Sequence, residues 1–382
     1  TRGLVALAEN EAEMAGVLAH EIGHITARHT AQRYSKAMAA NIGLTILGVA
    51  GALPYGTGHL VSFGTEAVLK GYSRDQELEA DMLGVRYLRR AGYDPTAMTA
   101  FFHKLKGHEK LAKALAQDPN AKDNYTIMST HPRTAQRIAQ AIKLAEAPSS
   151  GILRLERQAF LAGIDGMLFG DDPKQGVRKG REFAHPEMGF RFQVPPGFVL
   201  FNSPQRVLAR GPGGAVIRFD MEKQEKAKEV KDLRRYLTGG WSHGLSLRNV
   251  ERIEVNGLAG VTAASGWRSK DGGREDLRLI VLRDGPERIY RFIFLTPREL
   301  TGQMARELQR TTYSFRRLSK EEAAAVRPLR IRVVDVEPGD TVKSLAAIMP
   351  IEPFAVDWFE LLNGVKRNLP LIPGTQVKIV TD

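Results

Sequence analysis

The pentapeptide His20-Glu21-Ile22-Gly23-His24 constrains this chain more than any other stretch. Two histidines four residues apart lie on one face of an α-helix, and the flanking sequence specifies such a helix. Asn10 is a good N-cap, Glu13 stands three residues on as a capping box requires, and Glu11 and Glu13 suit the positive end of the helix dipole. Met14, Val17, Leu18, Ile22 and Ile25 recur at helical spacing and mark one apolar face, so the helix is expected over Glu11 to Lys36. From that helix two imidazole nitrogens can reach one metal ion. Glu21, one step round from His20, can reach a water on that ion. The plainer reading is two ordinary helix histidines beside a surface glutamate.

A catalytic zinc ion takes a third protein ligand and leaves a fourth position to water. The chain has no cysteine to supply it. The best candidate lies in Tyr72-Ser73-Arg74-Asp75-Gln76-Glu77-Leu78-Glu79-Ala80-Asp81. Ser73 is a plausible N-cap, and Leu78, Met82, Leu83, Val85, Tyr87 and Leu88 suggest a second helix. Glu77 and Asp81 share a face of it. One carboxylate can bind the metal, and the other can accept the free N–H of a ligating histidine and fix its tautomer. Glu79 is expected to point elsewhere, and His29, one further turn along the first helix, reads as structural. Without the first motif, the segment reads as an acidic helix start with solvated carboxylates.

H-E-I-G-H followed by S-R-x-x-E-x-E-A-D resembles the M48 family of zinc metallopeptidases. The resemblance implies one Zn2+ per chain, with Glu77 as third ligand and Asp81 as the carboxylate behind the ligands. A third element, His131-Pro132-Arg133-Thr134-Ala135-Gln136-Arg137-Ile138, matches an H-P-x-x-x-x-R-I segment whose His and Arg lie at the active-site cleft of similar enzymes. In the implied chemistry, zinc held by His20, His24 and Glu77 lowers the pKa of its bound water. Glu21 takes the proton and delivers it to the leaving amine, and His131 or Arg137 donates to the carbonyl oxygen. Two other roles stay open: His131 as an occupant of the fourth zinc position, and Arg137 as a salt bridge that holds its loop.

Thr1 to Leu7 reads as the end of a strand entering a turn, and the chain is expected to start inside the catalytic domain, beyond any targeting segment. The apolar run Ala37 to Leu53 is expected to form a buried or flap helix over the active site, ahead of peripheral membrane contact and, last, a membrane span. Pro54 to His59 reads as a loop. Helices are expected over Pro95 to Leu115, Arg133 to Ala145 and Leu153 to Leu168, closing a metallopeptidase domain of residues 1–170 at Gly170-Asp171-Asp172-Pro173.

Strand-like alternation follows at Phe190–Val194, Val207–Arg210, Ala215–Phe219, Val261–Ala264, Leu277–Val281 and Tyr290–Phe294, with helical runs near Val230 to Leu237 and Arg298 to Phe315. Residues 182–318 are expected as an α+β sandwich resembling the PsbP/Mog1-like fold, with His185 and His243 at its surface. Residues 328–382 read as a separate βααβ unit resembling the LysM domain. That resemblance implies glycan-binding positions at Gly339, Asp340, Thr341, Ile372 and Pro373, and peptidoglycan as a partner. The fold class is thus a multidomain α+β chain with a mainly helical zincin-like first domain.

At 382 residues the chain can hold two or three domains with real cores. The absence of cysteine excludes a thiol nucleophile and disulfides. A net charge of +12 suits anionic membranes, cell wall or acidic clients; no nucleic-acid recognition motif is present, so nucleic acid is not an expected partner. The expectation is a zinc-dependent endopeptidase of the periplasm or envelope of a Gram-negative bacterium. Its substrates would be misfolded envelope proteins. Its rivals are a latent metallopeptidase serving as a peptidoglycan-associated scaffold and a cell-wall hydrolase.

Overall fold

The computed structural model describes residues 1–36, 38, 71–115, 137, 140, 143, 153–268 and 272–382. The expectations for Ala37 to Leu53, for His59, for His131 and for most of Arg133 to Ala145 lie outside these residues.

The chain opens with α1, Arg2–Leu7, which buries Ala6 and Leu7. A strand end was expected here. A short apolar run fits either conformation, and burial against neighbouring helices selects the helix. Helix α2, Glu11–Thr26, starts at Asn10, whose side-chain oxygen accepts the Glu13 amide at 2.8 Å. The Glu13 carboxylate takes the Glu9 amide and Lys104 rather than closing the box on Asn10. The helix ends well short of Lys36. The Thr26 hydroxyl donates back to the Ile22 carbonyl at 3.0 Å, competing with the ladder. Arg28 then takes a left-handed conformation, φ 57°, and a second helical run begins at residue 29.

The buried face of α2 is not the expected one. Leu18, Ile22 and Ile25 are 59, 47 and 73% exposed, whereas Ala12, Gly16, Ala19 and Gly23 are buried beside His20 and His24. Small residues face inward because two backbones approach there. A Cβ on Gly23 would lie 2.9 Å from the Ala80 carbonyl oxygen. Ala80 belongs to α3, Arg74–Arg90, which Ser73 and Gln76 start with a complete capping box. Gly84 of α3 returns the contact, with its ideal Cβ 3.3 Å from the His20 amide nitrogen. Helix α4, Thr96–Leu115, packs Met98 against Gly16. Helix α5, Arg157–Ile164, is shorter than the expected Leu153 to Leu168, because Arg154 is extended and bridges Tyr93 while Glu156 takes φ 51°.

Two antiparallel sheets form the middle of the chain. Strands β1 (Val177–Lys179), β2 (Glu182–His185) and β3 (Phe190–Gln193) pair in order, with β11 (Arg316–Arg317) beside β3. The larger sheet runs β4-β5-β6-β10-β9-β8-β7, from Val199–Ser203, Arg206–Arg210, Val216–Met221, Arg288–Pro297, Arg274–Asp284, Leu258–Arg268 and Arg248–Val255. Phe183, Phe190, Phe192, Phe219, Phe292 and Phe315 fill the space between the sheets. Helix α6, Gln224–Glu229, and the turn Tyr236–Trp241 cover the other face of the large sheet. Helix α7, Thr301–Ser314, packs on β3 and β10. All six expected strands are present. Five more, β1, β2, β4, β7 and β11, are too short or too polar in alternation to stand out. His243 is exposed, but His185 is buried, its Nδ1 accepting the Met188 amide at 3.3 Å. The aromatic core next to β2 encloses it.

Helix α8, Lys320–Ala325, leads to strand β12 (Arg330–Asp335), helices α9 (Val342–Ala347) and α10 (Ala355–Asn363), and strand β13 (Gln376–Thr381), antiparallel to β12. This βααβ unit does not close on its own core. Ile331, Val342, Phe359, Leu362 and Val380 form one continuous cluster with Leu7, Phe101, Leu105, Leu161 and Ile164. Lys378 seals the joint. It is fully buried, and its Nζ donates to the carbonyls of Ala6, at 2.7 Å, and Ala8, immediately before α2. Burial, reinforced by the nearby Lys104, pulls the Lys378 amine from its ordinary 10.5 down to about 7, against the pull of Glu9 and Glu13. A neutral amine retains two N–H donors, enough for both carbonyls.

Between pH 7 and 10.5 the unfolded chain therefore binds more protons at Lys378 than the folded chain, so stability from this group rises as pH climbs through that window. Urea unfolding at about pH 7 and about pH 9 should show a gain at the higher pH that Lys378→Met abolishes. An equal gain in the variant would assign the effect to other groups.

Candidate metal centre

The glycine contacts between α2 and α3 set the centre's dimensions. With the two backbones touching, the inward histidines of α2 meet the inward carboxylates of α3. His20, His24 and Glu77 are 3, 2 and 0% exposed. Among the described residues, they form the one group able to hold a metal ion, with a ligand atom from each lying within 4.8 Å of the others. His24 Nε2 lies 3.1 Å from His20 Nε2 and 3.4 Å from Glu77 Oε1, and His20 Nε2 lies 3.6 Å from Glu77 Oε2.

These spacings fit zinc. Bonds of about 2.0–2.1 Å in a tetrahedron separate neighbouring ligand atoms by roughly 3.3 Å. The donor set, two imidazoles and a carboxylate, is also one that zinc accepts. Asp81 Oδ1 lies 2.8 Å from His20 Nδ1, close enough to accept its N–H and leave Nε2 to face Glu77. Burial pushes the His20 imidazole below its ordinary pKa, against the pull of Asp81 and Glu77.

Arg137 lies behind the carboxylates and is 1% exposed. Its Nε and Nη2 donate to Asp81 Oδ2 and Oδ1 at 2.7 and 2.8 Å, and Nη1 reaches Glu77 Oε2 at 2.5 Å. These contacts are buried ion pairs between Arg137 and the two carboxylates of α3. Glu21 is half-buried beside His20 on α2.

Two residues set aside in the sequence also belong to this centre. His29 is fully buried, with Nδ1 2.9 Å from His24 Nδ1 and Nε2 3.1 Å from Glu79 Oε2. Its place depends on the turn at Arg28, for which the sequence carries no glycine or proline signal. Glu79 lies on α3 and, as expected, is not among the ligand atoms; its Oε2 meets His29 Nε2 instead. Tyr72 stacks on the His24 ring, centroids 3.9 Å apart.

In the βααβ unit, Gly339, Asp340 and Thr341 sit beside the turn carrying Ile372 and Pro373. Val336 and Thr375 join the two loops by a 2.8 Å backbone hydrogen bond. Thr341 caps α9 and Asp340 accepts the Glu337 amide, while Ile372 is 68% exposed.

Comparison with known proteins bears on the same segment. Residues 1–145 match the family model described as Peptidase family M48. The chain is 31% identical over 170 residues to the beta-barrel assembly-enhancing protease of Escherichia coli O157:H7, covering 42% of this chain and 32% of that protein. It is 32% identical over 170 residues to the mitochondrial metalloendopeptidase OMA1 of Arabidopsis thaliana, covering 44% and 31%. The chain thus spans about a third of the length of these relatives. Among solved structures, cyanobacterial PsbP from Synechocystis sp. PCC 6803 aligns with 39% of this chain and 98% of its own, at 13% identity and a TM-score of 0.27. The matched segment, residues 1–145, holds the paired histidine and carboxylate helices, and in that segment the chain is similar to peptidase family M48.

Proposed function

We propose that this chain is a zinc-dependent endopeptidase that hydrolyses peptide bonds of proteins in a bacterial cell envelope, in the service of protein quality control. The buried His20, His24 and Glu77 group carries the reading, since its spacing suits one zinc ion and its helices lie in the segment matching the peptidase family. The envelope setting is drawn from the beta-barrel assembly-enhancing proteases among the relatives. No helix among the described residues is long and apolar enough to cross a membrane. The PsbP/Mog1-like reading of residues 182–318 and the domain limits 1–170, 182–318 and 328–382 are part of the proposal. Peptidoglycan binding by the βααβ unit rests on sequence resemblance alone.

Zinc, when bound, would supply Lewis acidity toward the substrate carbonyl and toward water. The chain's own residues do the rest. His20, His24 and Glu77 would hold the ion, and Asp81 orients the His20 ring. The Glu21 carboxylate takes a proton from the attacking water and delivers it to the leaving amine nitrogen. Arg137 acts as a positioning residue that compensates two carboxylates removed from water, Glu77 and Asp81. His131 is the proposed donor at the cleft.

Two variants test the reading on the full chain. Glu21→Gln should bind zinc like the wild type while losing at least about 100-fold in cleavage of unfolded casein. Undiminished cleavage would remove Glu21 as the base, and no cleavage by the wild type would favour the latent scaffold. Arg137→Met strands two buried carboxylates and should lower unfolding free energy by about 3–5 kcal/mol. Arg137→Lys should not restore it, because an ammonium cannot bridge both carboxylates in the same plane. Chemical denaturation of all three proteins reads this directly.

A further inference from the structure

We propose that His29 and Glu79 are positioning residues of the metal centre, fixing His24 as a ligand through a relay of two hydrogen bonds. The inference rests on the zinc reading above.

Two buried imidazoles meet at His24 Nδ1 and His29 Nδ1, 2.9 Å apart. In such a contact one nitrogen donates and the other accepts, and proximity alone leaves the direction open. Glu79 closes the choice. Its carboxylate Oε2, 3.1 Å from His29 Nε2, can only accept, so the His29 proton belongs on Nε2. Neutral His29 then presents a bare Nδ1, which accepts from His24 Nδ1–H. Neutral His24 in turn presents a bare Nε2, the atom that faces His20 Nε2 and Glu77 Oε1. Asp81 does the same for His20 in one step. Both imidazoles therefore turn lone pairs toward one point, where a cation fits and a proton is not needed.

Local structure agrees with this assignment. Were α2 to continue unbroken, residue 29 would be carried round and down the helix, away from the back of His24. The left-handed Arg28 redirects the chain so that the buried His29 ring meets His24 edge to face, with centroids 5.0 Å apart and planes at 71°. Tyr72, stacked on His24, limits rotation of the ring from another side. His29 is fully enclosed, whereas the Glu79 side chain is 59% exposed, so the far end of the relay can be altered without disturbing the core.

The test is zinc affinity of the full chain by competition with a chromophoric chelator, with thermal unfolding of the metal-free proteins alongside. His29→Leu should lose about 10–100-fold in affinity. His29→Asn, whose Oδ1 stands where Nδ1 stood and still accepts, should recover most of it. Glu79→Lys replaces the acceptor by a donor, reverses the tautomer of His29 and should lose about tenfold, whereas Glu79→Gln keeps an acceptor and stays near wild type. Zinc affinity equal to wild type in Glu79→Lys overturns the proposal, as does equal loss in His29→Leu and His29→Asn. If His29→Leu fails to fold, the exposed Glu79 pair decides. A wild-type chain that takes up no zinc overturns the centre itself; a wild type that binds, with variants that bind alike, overturns the relay alone.

Discussion

The close approach of α2 and α3 is the constraint on which the rest of the centre depends. Gly23 lies against the Ala80 carbonyl, where a side chain would force a shift, and Gly84 lies tightly against the His20 backbone. At that separation a histidine on one helix and a glutamate on the other need only their own lengths to meet. The same contact explains why Leu18, Ile22 and Ile25 of α2 are turned outward. Backbones in contact leave no space for leucine or isoleucine between them, and the inward face is given to glycine, alanine and the polar ligands.

Burying this many ionisable groups requires compensation within the cluster. Glu77 and Asp81 bring two negative charges to buried positions, and Arg137 answers with a guanidinium whose three nitrogens reach both. The remaining negative charge is the one a divalent cation would offset. The imidazoles are held from behind, by Asp81 directly and by His29 with Glu79 in series. The centre is thus specified by its surroundings as much as by its ligands.

Much of this was legible in the sequence, and what was not has identifiable causes. The i, i+4 spacings of His20 with His24 and of Glu77 with Asp81 are helical facts that survive any packing. Asn10 and Ser73 cap their helices as their chemistry suggests. The inward face of α2 was misread because hydrophobicity is a guide to burial only where side chains, not backbones, make the contact. His29 is structural, as its sequence position suggested, but its placement behind His24 was not legible, because it depends on a left-handed arginine, a conformation for which no residue pattern gives notice. In the middle of the chain, long strands rich in β-branched and aromatic residues were readable. Short ones such as β1 and β11 exist only through their neighbours.

Lys378 has a consequence for how the molecule is made. Its hydrogen bond to the Ala6 carbonyl joins residues 372 positions apart. The approach to the histidine-bearing helix is therefore braced by a strand translated long after that helix. Until β13 has emerged and docked, Leu7, Phe101 and Leu105 lack part of the apolar surface that covers them. N-terminal helices can gather early, but the enclosed form of this domain waits for the distant end of the chain. Synthesis of the peptidase segment and the covering of its apolar surface are thereby separated in time.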